Sequence, residues 1–228
     1  MQKRLVRKLD LAMLLSQLEP PPSPKASLEQ YTIPAELAAT ILHVAAYTYG
    51  DIVDKTVLDL GCGTGRLAIG SALLNAKQVI GVDIDKTAVK VASQNCVKVG
   101  LEDRVQWIVA DIEAVCGEFD TVVQNPPFGI QKRRADRKFL EKALGLSKTV
   151  YSLHKNPNRD RRLIERLKAG GPNIVPVSPS PFIESFVKNH GGKIKAVYAM
   201  LMSIPHMFDF HVKRKHEFIV DLYIINRR

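Results

Sequence analysis

Residues 55–83 read KTVLDLGCGTGRLAIGSALLNAKQVIGVD, and this stretch decides the fold. A short apolar strand, KTVLDL, runs into a glycine-rich turn. The segment RLAIGSALLN then has the composition of a helix, and QVIGVD is a second apolar strand. Two strands joined through a helix in this way form a βαβ unit, in which the strands are parallel.

The same alternation continues downstream. The sequence predicts a helix at TAVKVASQNCVKVG, strands at VQWIVAD, FDTVVQN and KTVYSLH, and a helix at DRKFLEKALGLS. After FIESFVKNHGG, the β-rich runs KIKAVYAMLMSI and HEFIVDLYIIN have no helix between them, which predicts an antiparallel pair. We therefore expect an α/β, Rossmann-like fold: a seven-stranded, mostly parallel sheet with an antiparallel edge pair and helices on both faces.

The N-terminal part of the chain is helical rather than alternating. Its first residues predict an amphipathic helix that ends at the proline-rich residues 20–24. Residues 34–49 predict a second helix, with Pro34 at a first helical position and Gly50 at its end. We divide the chain into an N-terminal helical segment, residues 1–50, which contributes to a ligand site, and a core, residues 51–228.

The core carries a basic insertion around residues 156–180, which holds Arg159, Arg161, Arg162, Arg166 and Lys168. These cations can form an arm that contacts a polyanion, and a solvated helix explains them nearly as well.

Composition narrows the class of protein. With 228 residues, 46% of them hydrophobic, the chain can bury one full core. No apolar run can cross a bilayer, and we predict no signal peptide. Cys62, Cys96 and Cys116 lack close pairing, which indicates no disulfide framework, no metal site and a cytoplasmic location. The net charge of +10 favours nucleic acid as a partner, although a generally basic protein has the same balance.

Three strand ends carry the residues of a nucleoside site. The first strand ends in the loop Asp59, Leu60, Gly61, Cys62, Gly63, Thr64, Gly65. Glycines there let the backbone approach a ligand, although a tight turn explains them equally well. Asp83 ends the second strand, where a carboxylate can accept both ribose hydroxyls, and Asp111 follows the third, within reach of an adenine edge.

The loop DLGCGTG with an acidic strand end resembles the S-adenosylmethionine site of class I methyltransferases. The loop continues as Gly-Thr-Gly-Arg and departs from the dinucleotide pattern GxGxxG, so pyrophosphate is not the obvious ligand. NAD binding is the main alternative for this loop, and the motif that follows the fourth strand argues against it.

That motif is Asn125-Pro126-Pro127-Phe128, which follows the β-branched run of the fourth strand. It resembles the catalytic motif of methyltransferases that act on adenine N6, cytosine N4 or a glutamine amide. Such nitrogens are poor nucleophiles, and the Asn125 oxygen and the Pro126 carbonyl can accept their two N–H bonds as positive charge develops. Phe128 can stack on a planar substrate, and no metal is required.

Basic residues follow the motif. Lys132, Arg133, Arg134, Arg137 and Lys138 would surround the mouth of the pocket, where phosphates of a nucleic acid would lie. Because glutamine-methylating enzymes usually carry Tyr in place of Phe128, this combination favours RNA. A solvated basic loop is the alternative interpretation.

Residues along nearly the whole chain resemble the methyltransferase-like protein 5 family and its archaeal relatives. Leu28-Glu29-Gln30-Tyr31 precedes a helix that carries Pro34, NPPFG is followed by QKRRADRKFL, and a strand ends in Val150-Tyr151-Ser152-Leu153-His154-Lys155. The resemblance implies methylation of N6 of an extruded adenosine in RNA, in the family a small-subunit ribosomal RNA, with S-adenosyl-L-methionine as cofactor. It also implies a small zinc-binding activator protein that pairs along a sheet edge.

The family pattern assigns residue roles. It implies cofactor contacts from Gln30, Thr32, Asp59, Gly61, Cys62, Gly63, Thr64, Gly65, Arg66, Asp83, Ile84, Asp111, Ile112 and Asn125, and catalysis by Asn125, Pro126, Pro127 and Phe128. Relatives usually carry Thr where this chain has Ile33, so Thr32 is one residue early. Glutamine methylation of a protein, methylation of DNA adenine and RNA binding without turnover are the alternative functions.

Overall fold

The computed structural model of the protein describes residues 5–129, 134–156, 160–169, 174–205 and 215–227. The helices are α1 (Lys8–Ser16), α2 (Ala35–His43), α3 (Arg66–Leu73), α4 (Lys86–Lys98), α5 (Ala135–Leu146), α6 (Arg161–Lys168) and α7 (Pro181–Asn189). The strands are β1 (Thr56–Leu60), β2 (Gln78–Asp83), β3 (Val105–Val109), β4 (Phe119–Gln124), β5 (Ser147–Lys155), β6 (Val175–Pro176), β7 (Gly192–Pro205) and β8 (Lys215–Arg227).

These strands form one sheet in the order β3-β2-β1-β4-β5-β8-β7-β6. From β3 to β5 all neighbours are parallel, as βαβ connections require. Strand β8 then pairs antiparallel with both β5 and β7. The predicted α/β fold with a mostly parallel sheet is confirmed, and so is the antiparallel pairing of the last two long strands.

The predicted strand number is wrong, because the sheet contains eight described strands. The additional strand, β6, consists only of Val175 and Pro176 and pairs antiparallel with Ala199 and Tyr198 of β7. Two residues are too few to produce an alternating sequence pattern, and a proline at a sheet edge needs no partner for a missing N–H. Strand β6 therefore forms this edge of the sheet, opposite the edge formed by β3, and the β7–β8 pair lies one strand inside it.

Helices cover both faces of the sheet, as predicted. Along β1, Val57 points into a core formed with α1, α2 and α3. Its neighbours Leu58 and Leu60 point to the opposite face, where they pack with residues of α5 and α7. All three are fully buried. A strand buried on both faces can carry consecutive apolar residues, which explains why Val57 and Leu58 show no alternation of apolar and polar residues.

Helices α1 and α2 pack on the side of the sheet that carries α3. Leu11 and Leu15 of α1 are fully buried, but Leu9 and Met13 lie exposed on the other side. Helix α1 is therefore apolar around most of its surface and is less amphipathic than its sequence suggested. Helix α2 begins one residue after the predicted position, because Pro34 has an extended ψ of 142° and caps the helix instead of opening it.

The topology brings the predicted site residues to one edge of the sheet. The glycine loop follows β1, Asp83 ends β2, and Asn125 follows β4 directly. Strand β1 lies between β2 and β4, so these three strand ends are neighbours. Ligands of open α/β sheets bind at this edge, outside the carboxyl ends of the strands. Within the described ranges, no helix has the length and apolar character needed to span a membrane.

Candidate active site

A cleft of about 230 Å³ opens at the carboxyl ends of β1, β2 and β4. Among the residues that the sequence assigned to a cofactor, the cleft is lined by Gln30, Thr32, Asp59, Gly61, Cys62, Gly63, Thr64, Arg66, Asp83, Ile84, Asp111, Ile112 and Asn125. Pro127 also lines it, whereas Gly65, Pro126 and Phe128 do not. One concave surface thus collects residues that are more than ninety positions apart in the chain.

The glycine loop is fixed to the neighbouring strand by its backbone. The N–H groups of Gly61 and Cys62 both donate to the Val82 carbonyl, at 2.9 Å each. At Gly63, with φ of 53°, an added Cβ would meet no atom within 4 Å, so the backbone there faces open space. Gly65 has φ of 86°, and an added Cβ would lie 2.5 Å from the Trp107 ring. The loop therefore packs against Trp107 at Gly65 and faces open space at Gly63.

Two carboxyl groups lie beneath the loop, and burial affects both. Asp83 accepts hydrogen bonds from the backbone N–H groups of Gly63, at 2.8 Å, and Asp85, at 2.9 Å. Burial raises the pKa of Asp83 despite these bonds. Asp59 is 1% exposed and accepts from the Ala68 N–H. Burial raises its pKa to about 8. A ligand that brings N–H or O–H donors, or positive charge, would stabilise both carboxylates.

Cys62 lies in the loop, but its chemistry is that of an apolar side chain. Its thiol is buried, and burial raises its pKa well above the usual range. Because the thiolate is the reactive form, a thiol that stays protonated is a poor nucleophile. Cys62 therefore shapes the floor of the cleft without taking part in covalent chemistry.

The N-terminal segment forms one wall of the cleft and is tied to the core by Arg66. The Arg66 guanidinium donates to the carbonyls of Ile33 and Leu18, the latter at 3.3 Å. Burial lowers the pKa of Arg66, which nevertheless keeps its charge, as arginine does throughout proteins. Arg66 is thus a tie between chain segments as well as a cleft residue.

A second tie joins the same wall to the end of β2. Asp85 accepts from Gln30 Nε2 at 2.8 Å and from Lys25 Nζ at 2.9 Å. Although burial opposes the ionised form, these hydrogen bonds lower the pKa of Asp85. Gln30 is consequently held in the cleft wall with its amide turned toward Asp85.

Asn125 presents a free acceptor in the NPPF motif. Its Nδ2 donates to the Tyr31 carbonyl at 3.3 Å, which fixes the orientation of the amide. Its Oδ1 is buried and has no hydrogen-bond partner among the described residues. A buried polar atom without a partner costs free energy. The cost is recovered when a ligand donates a hydrogen bond to this oxygen.

Phe128 lies on the other side of the motif. Its ring packs edge-on against Phe218 of β8, with centroids 5.7 Å apart. It lines a second cavity of about 340 Å³ together with Gly129, Arg134, Asp136, Arg137 and Phe182. The motif therefore separates two spaces, with Asn125 and Pro127 facing the first and Phe128 facing the second.

A buried polar chain supports the motif from below. Gln124, the residue before Asn125, donates from Nε2 to Ser152 Oγ at 2.8 Å. Ser152 Oγ is in turn 2.9 Å from His154 Nε2. Burial lowers the pKa of His154 to about 4, so the imidazole is neutral at pH 7. Its Nδ1 lies 3.9 Å from Asp136 Oδ2, which belongs to the second cavity.

The predicted nucleic-acid contacts are distributed differently from the sequence prediction. Lys132 and Arg133 lie outside the described residues. Arg134 and Arg137 line the second cavity. Lys138 lines the first cleft instead, where its Nζ forms a salt bridge of 2.9 Å with Glu113.

The remaining predicted side chains lie at the rim or in the insertion. Asp111 is exposed and accepts from the Glu113 N–H, and Ile84 is 54% exposed beside it, which gives the rim an apolar surface. In the insertion, Leu167 packs α6 against β7 and β8, while Arg161 and Arg162 are exposed. Arg159 lies outside the described residues.

Several residues in or beside the two cavities were missed by the sequence interpretation. Tyr31 supplies the carbonyl that orients Asn125, and Phe139 of α5 covers Gly61, where an added Cβ would lie 2.7 Å from its ring. Asp85 could have been found from its local sequence, since its side chain caps α4 by accepting from the Thr87 N–H. No feature of the sequence around Phe182 indicates that it lines the second cavity.

This fold, with a glycine loop, acidic strand ends and Asn125 and Pro127 of the NPPF motif lining one cleft, defines a class I methyltransferase. The chain is 32% identical over 217 residues to the rRNA N6-adenosine-methyltransferase METTL5 of Danio rerio, covering 93% of this chain and 95% of that protein. It is 38% identical to the archaeal protein MJ0284 of Methanocaldococcus jannaschii, over 98% and 95% of the two chains. The chain belongs to the METTL5 family.

Comparison of structures agrees with this family assignment. PH1948 from Pyrococcus horikoshii, described as a candidate RNA methyltransferase, superposes with a TM-score of 0.80 at 36% identity, over 98% of this chain and 99% of that one. A family model described as ribosomal protein L11 methyltransferase (PrmA) matches residues 38–126 only. That match includes the glycine loop, Asp83, Asp111 and Asn125, and it ends before Phe128 and the basic residues that follow it.

Proposed function

We propose that this protein uses S-adenosyl-L-methionine to methylate N6 of an extruded adenosine in RNA. The observation that carries the proposal is the Asn125 side chain, whose Oδ1 is buried and unpartnered among the described residues. Such an oxygen matches an amino group that carries two N–H donors, and the Tyr31 carbonyl keeps the amide in this orientation. Relatives of this chain that carry the METTL5 name support adenosine in ribosomal RNA as the substrate.

The cleft suits a nucleoside cofactor. Asp83 lies where ribose hydroxyls would donate to a carboxylate, Ile84 and Ile112 offer apolar contact to a purine, and the open backbone at Gly63 admits a close approach. The desolvated Asp59 would be stabilised by a nearby cationic group. S-adenosylmethionine, when bound, supplies an activated methyl group, and these residues hold and orient it.

Asn125 and Pro126 would act on the acceptor nitrogen. In the amino group of adenine the lone pair is delocalised into the ring, which makes the nitrogen a weak nucleophile. Two oxygens that accept its N–H bonds favour the positively charged nitrogen that forms during methyl transfer. Because the proton is lost after transfer, the site needs no strong base. His154 therefore has no role as a base here, which agrees with its burial and depressed pKa.

RNA supplies the adenosine most readily where it is not stacked. Bringing a base to Asn125 costs about a few kcal/mol, because its stacking and pairing are lost. This cost is smallest in loops and single strands. The Phe128 ring, on the side of the motif that faces the second cavity, can replace the lost stacking partner. Arg134 and Arg137 near the cavity would neutralise the phosphates that accompany the base.

The test is incubation of the protein with methyl-labelled cofactor and total RNA, DNA and protein from its own source. We expect label in RNA, and digestion to nucleosides should yield N6-methyladenosine that maps to small-subunit ribosomal RNA. Label in glutamine of a protein, or in DNA, would replace this function by one of the alternatives. RNA affinity with no methyl product would indicate a binding module.

We also propose that a small zinc-binding activator protein docks on the edge strand β3. The family resemblance implies such a partner, and two features of β3 support the location. Its outer side has no neighbouring strand among the described residues. Ile108 and Val109 are 43% and 50% exposed. An unprotected apolar edge favours pairing with another chain.

The activator proposal is tested by purifying the protein from its source and measuring the mass and zinc content of the complex. Ile108→Glu should release the activator, because it places a charge on the apolar edge. Leu9→Glu is the matched control, since Leu9 is an exposed leucine on α1, away from β3. Equal retention of the partner by both variants would contradict docking at β3.

Residues 1–50, in this proposal, are a functional part of the cofactor site and not an appendage. The hydrogen bonds of Arg66 and Asp85 described above support this role, because they join the N-terminal segment to the core. We further propose a cytoplasmic location, which the free cysteines Cys62, Cys96 and Cys116 support.

A further inference from the structure

Phe182 is a large apolar residue that the core leaves partly uncovered. It lies near the start of α7 and is 49% exposed, whereas Ile183 and Val187 of the same helix are buried. The guanidinium carbon of Arg137 lies 4.3 Å from the centroid of the Phe182 ring. This distance is typical of a cation–π pair. Together the two side chains form a flat surface that is partly open to solvent.

This surface adjoins the catalytic motif. Phe128, Arg137 and Phe182 line the same cavity of about 340 Å³. Arg134 lines the cavity as well, so its charge favours an anionic ligand. Asp136, the only acidic residue among the described lining residues, faces inward toward His154.

We propose that the Arg137–Phe182 pair binds the base of a nucleotide next to the target adenosine, an inference that rests on the proposed RNA methylation. Bases of single-stranded RNA stack on aromatic rings and on the planes of arginine side chains. When one adenosine is extruded toward Asn125, its neighbour must lie at the mouth of the site. The Arg137–Phe182 pair is the aromatic and cationic surface in that place.

This assignment changes the role of Arg137. As a phosphate contact, Arg137 would need only its charge, and lysine would replace it adequately. As part of a stacking pair, it needs the planar guanidinium that lies over Phe182. Stacking also tolerates any base, because every base has a flat face. The pair should therefore contribute to RNA affinity with weak preference for the identity of the neighbouring base.

Rings continue along α7 beyond this pair. The Phe186 centroid is 6.2 Å from that of Phe182, and His190 stacks on Phe186 with centroids 4.1 Å apart. These residues are spaced by four, so they share one side of the helix. The stripe leads away from the cavity, and the bound strand can extend along it.

The experiment measures kcat and KM for an RNA fragment that contains the mapped adenosine, using the full chain with any co-purifying activator. Phe182→Leu keeps apolar volume but removes the ring, and we expect KM for RNA to rise about tenfold. Phe182→Tyr restores the ring and should restore KM. Arg137→Lys keeps the charge and should behave like Phe182→Leu. Cofactor affinity and kcat should change less than about twofold in each variant.

Three further measurements separate stacking from charge and from folding. Lys188→Gln removes one exposed charge from the same helix, α7, and should leave KM within about twofold. The double variant Phe182→Leu/Arg137→Lys should lose less than the product of the single effects, because the two side chains act together. Fragments carrying 2-aminopurine on either side of the target should show fluorescence quenching with the unaltered protein and recovery with Phe182→Leu.

The outcomes are distinct. Unchanged KM in Phe182→Leu, or quenching at neither flanking position, overturns the stacking role while leaving RNA methylation in place. Equal losses in Phe182→Leu and Phe182→Tyr, with weaker cofactor binding, indicate a structural role and also overturn it. No methylation of RNA by the unaltered protein removes the proposed function and this inference together.

Discussion

The two halves of the candidate site differ in how fully their oxygen acceptors are satisfied. The cofactor half consists of the glycine loop and the acidic residues around it, and the acceptor half consists of the NPPF motif and the buried polar chain beneath it. On the cofactor side, Asp59, Asp83 and Asp85 all accept hydrogen bonds from the protein itself. On the acceptor side, Gln124 Oε1, Asn125 Oδ1 and His154 Nδ1 are buried without hydrogen-bond partners among the described residues. The carboxylates of the cofactor half are satisfied by the protein itself, although Arg66 Nε there is buried without a partner among the described residues. In the acceptor half, the Asn125 oxygen is an unused acceptor that a substrate can satisfy.

The extent of similarity to known proteins marks a second difference, between the residues up to Pro126 and those beyond it. The L11 methyltransferase model matches residues 38–126, which hold the glycine loop, Asp83 and Asn125 but not Phe128 or the rest of the second cavity. Similarity to METTL5 of Danio rerio continues across 93% of the chain. We therefore expect substrate specificity to depend on Phe128 and the second cavity.

Asn125→Ala should show the largest effect, because it removes the unpartnered oxygen from the acceptor half. We expect methylation to fall by at least about a hundredfold, the scale of losing one group that stabilises a transition state. Cofactor affinity should stay near normal, since the glycine loop, Asp83 and Asp85 are unchanged. Single-turnover rates and calorimetric titration with the cofactor would measure the two quantities. Retained activity would remove the catalytic assignment.

His154 should make stability depend on pH between about 4 and 6.5. Its folded-state pKa of about 4 lies below the usual 6.5, so the unfolded chain binds a proton that the folded protein excludes. The neutral His154 side chain therefore makes its full contribution to stability above pH 6.5, and this contribution is lost as the pH falls toward 4. From pH 7 to pH 5 we expect a loss of about 2 kcal/mol.

Denaturant unfolding at the two pH values would measure this change. The variant His154→Gln cannot titrate at this position and should show a shallower dependence on pH than the unaltered protein. An identical slope in both proteins would mean that His154 does not control the acid sensitivity.

Asp83→Asn tests the cofactor half and should weaken cofactor binding about tenfold, the scale of a lost charge-assisted hydrogen bond. Methylation at saturating cofactor should change little. Asp120→Asn is the matched control, because Asp120 also accepts from a backbone N–H, that of Thr56, but lies outside the cleft. Equal losses of cofactor affinity in the two variants would contradict the assignment of Asp83 to the ribose.

Lys25→Ala should have the smallest effect. It removes the salt bridge to Asp85, but Lys25 is 51% exposed and Gln30 still donates to the same carboxylate. Exposed ion pairs contribute little, so cofactor affinity should fall less than about threefold. A larger loss, measured by the same titration, would mean that the N-terminal wall depends on this single pair.

Local sequence signals predicted the features that are formed by residues close together in the chain. Glycine loop, strand ends and the NPPF motif each occupy a few consecutive residues, and parallel topology then brings Asp83 and Asn125 together. Strand β6 was missed because two residues carry no periodic pattern. The shift of α2 by one residue reflects the usual uncertainty of helix ends.

Contacts between distant residues could not be predicted in this way. The bond from Asn125 to Tyr31 spans 94 positions in the sequence. The Arg137–Phe182 pair joins α5 to α7, and nothing near Phe182 distinguishes it from a core residue. Such pairs are decided by the packing of whole elements, which no local pattern encodes.

The position of Trp107 has a practical consequence. It is the only tryptophan of the chain, and its indole lies directly under Gly65 and Gly81, where an added Cβ would come within 2.5 Å of the ring. Any ligand that shifts the loop changes the surroundings of this one fluorophore. The protein therefore carries a built-in optical reporter, and emission excited at the indole band can follow occupancy of the site without a label.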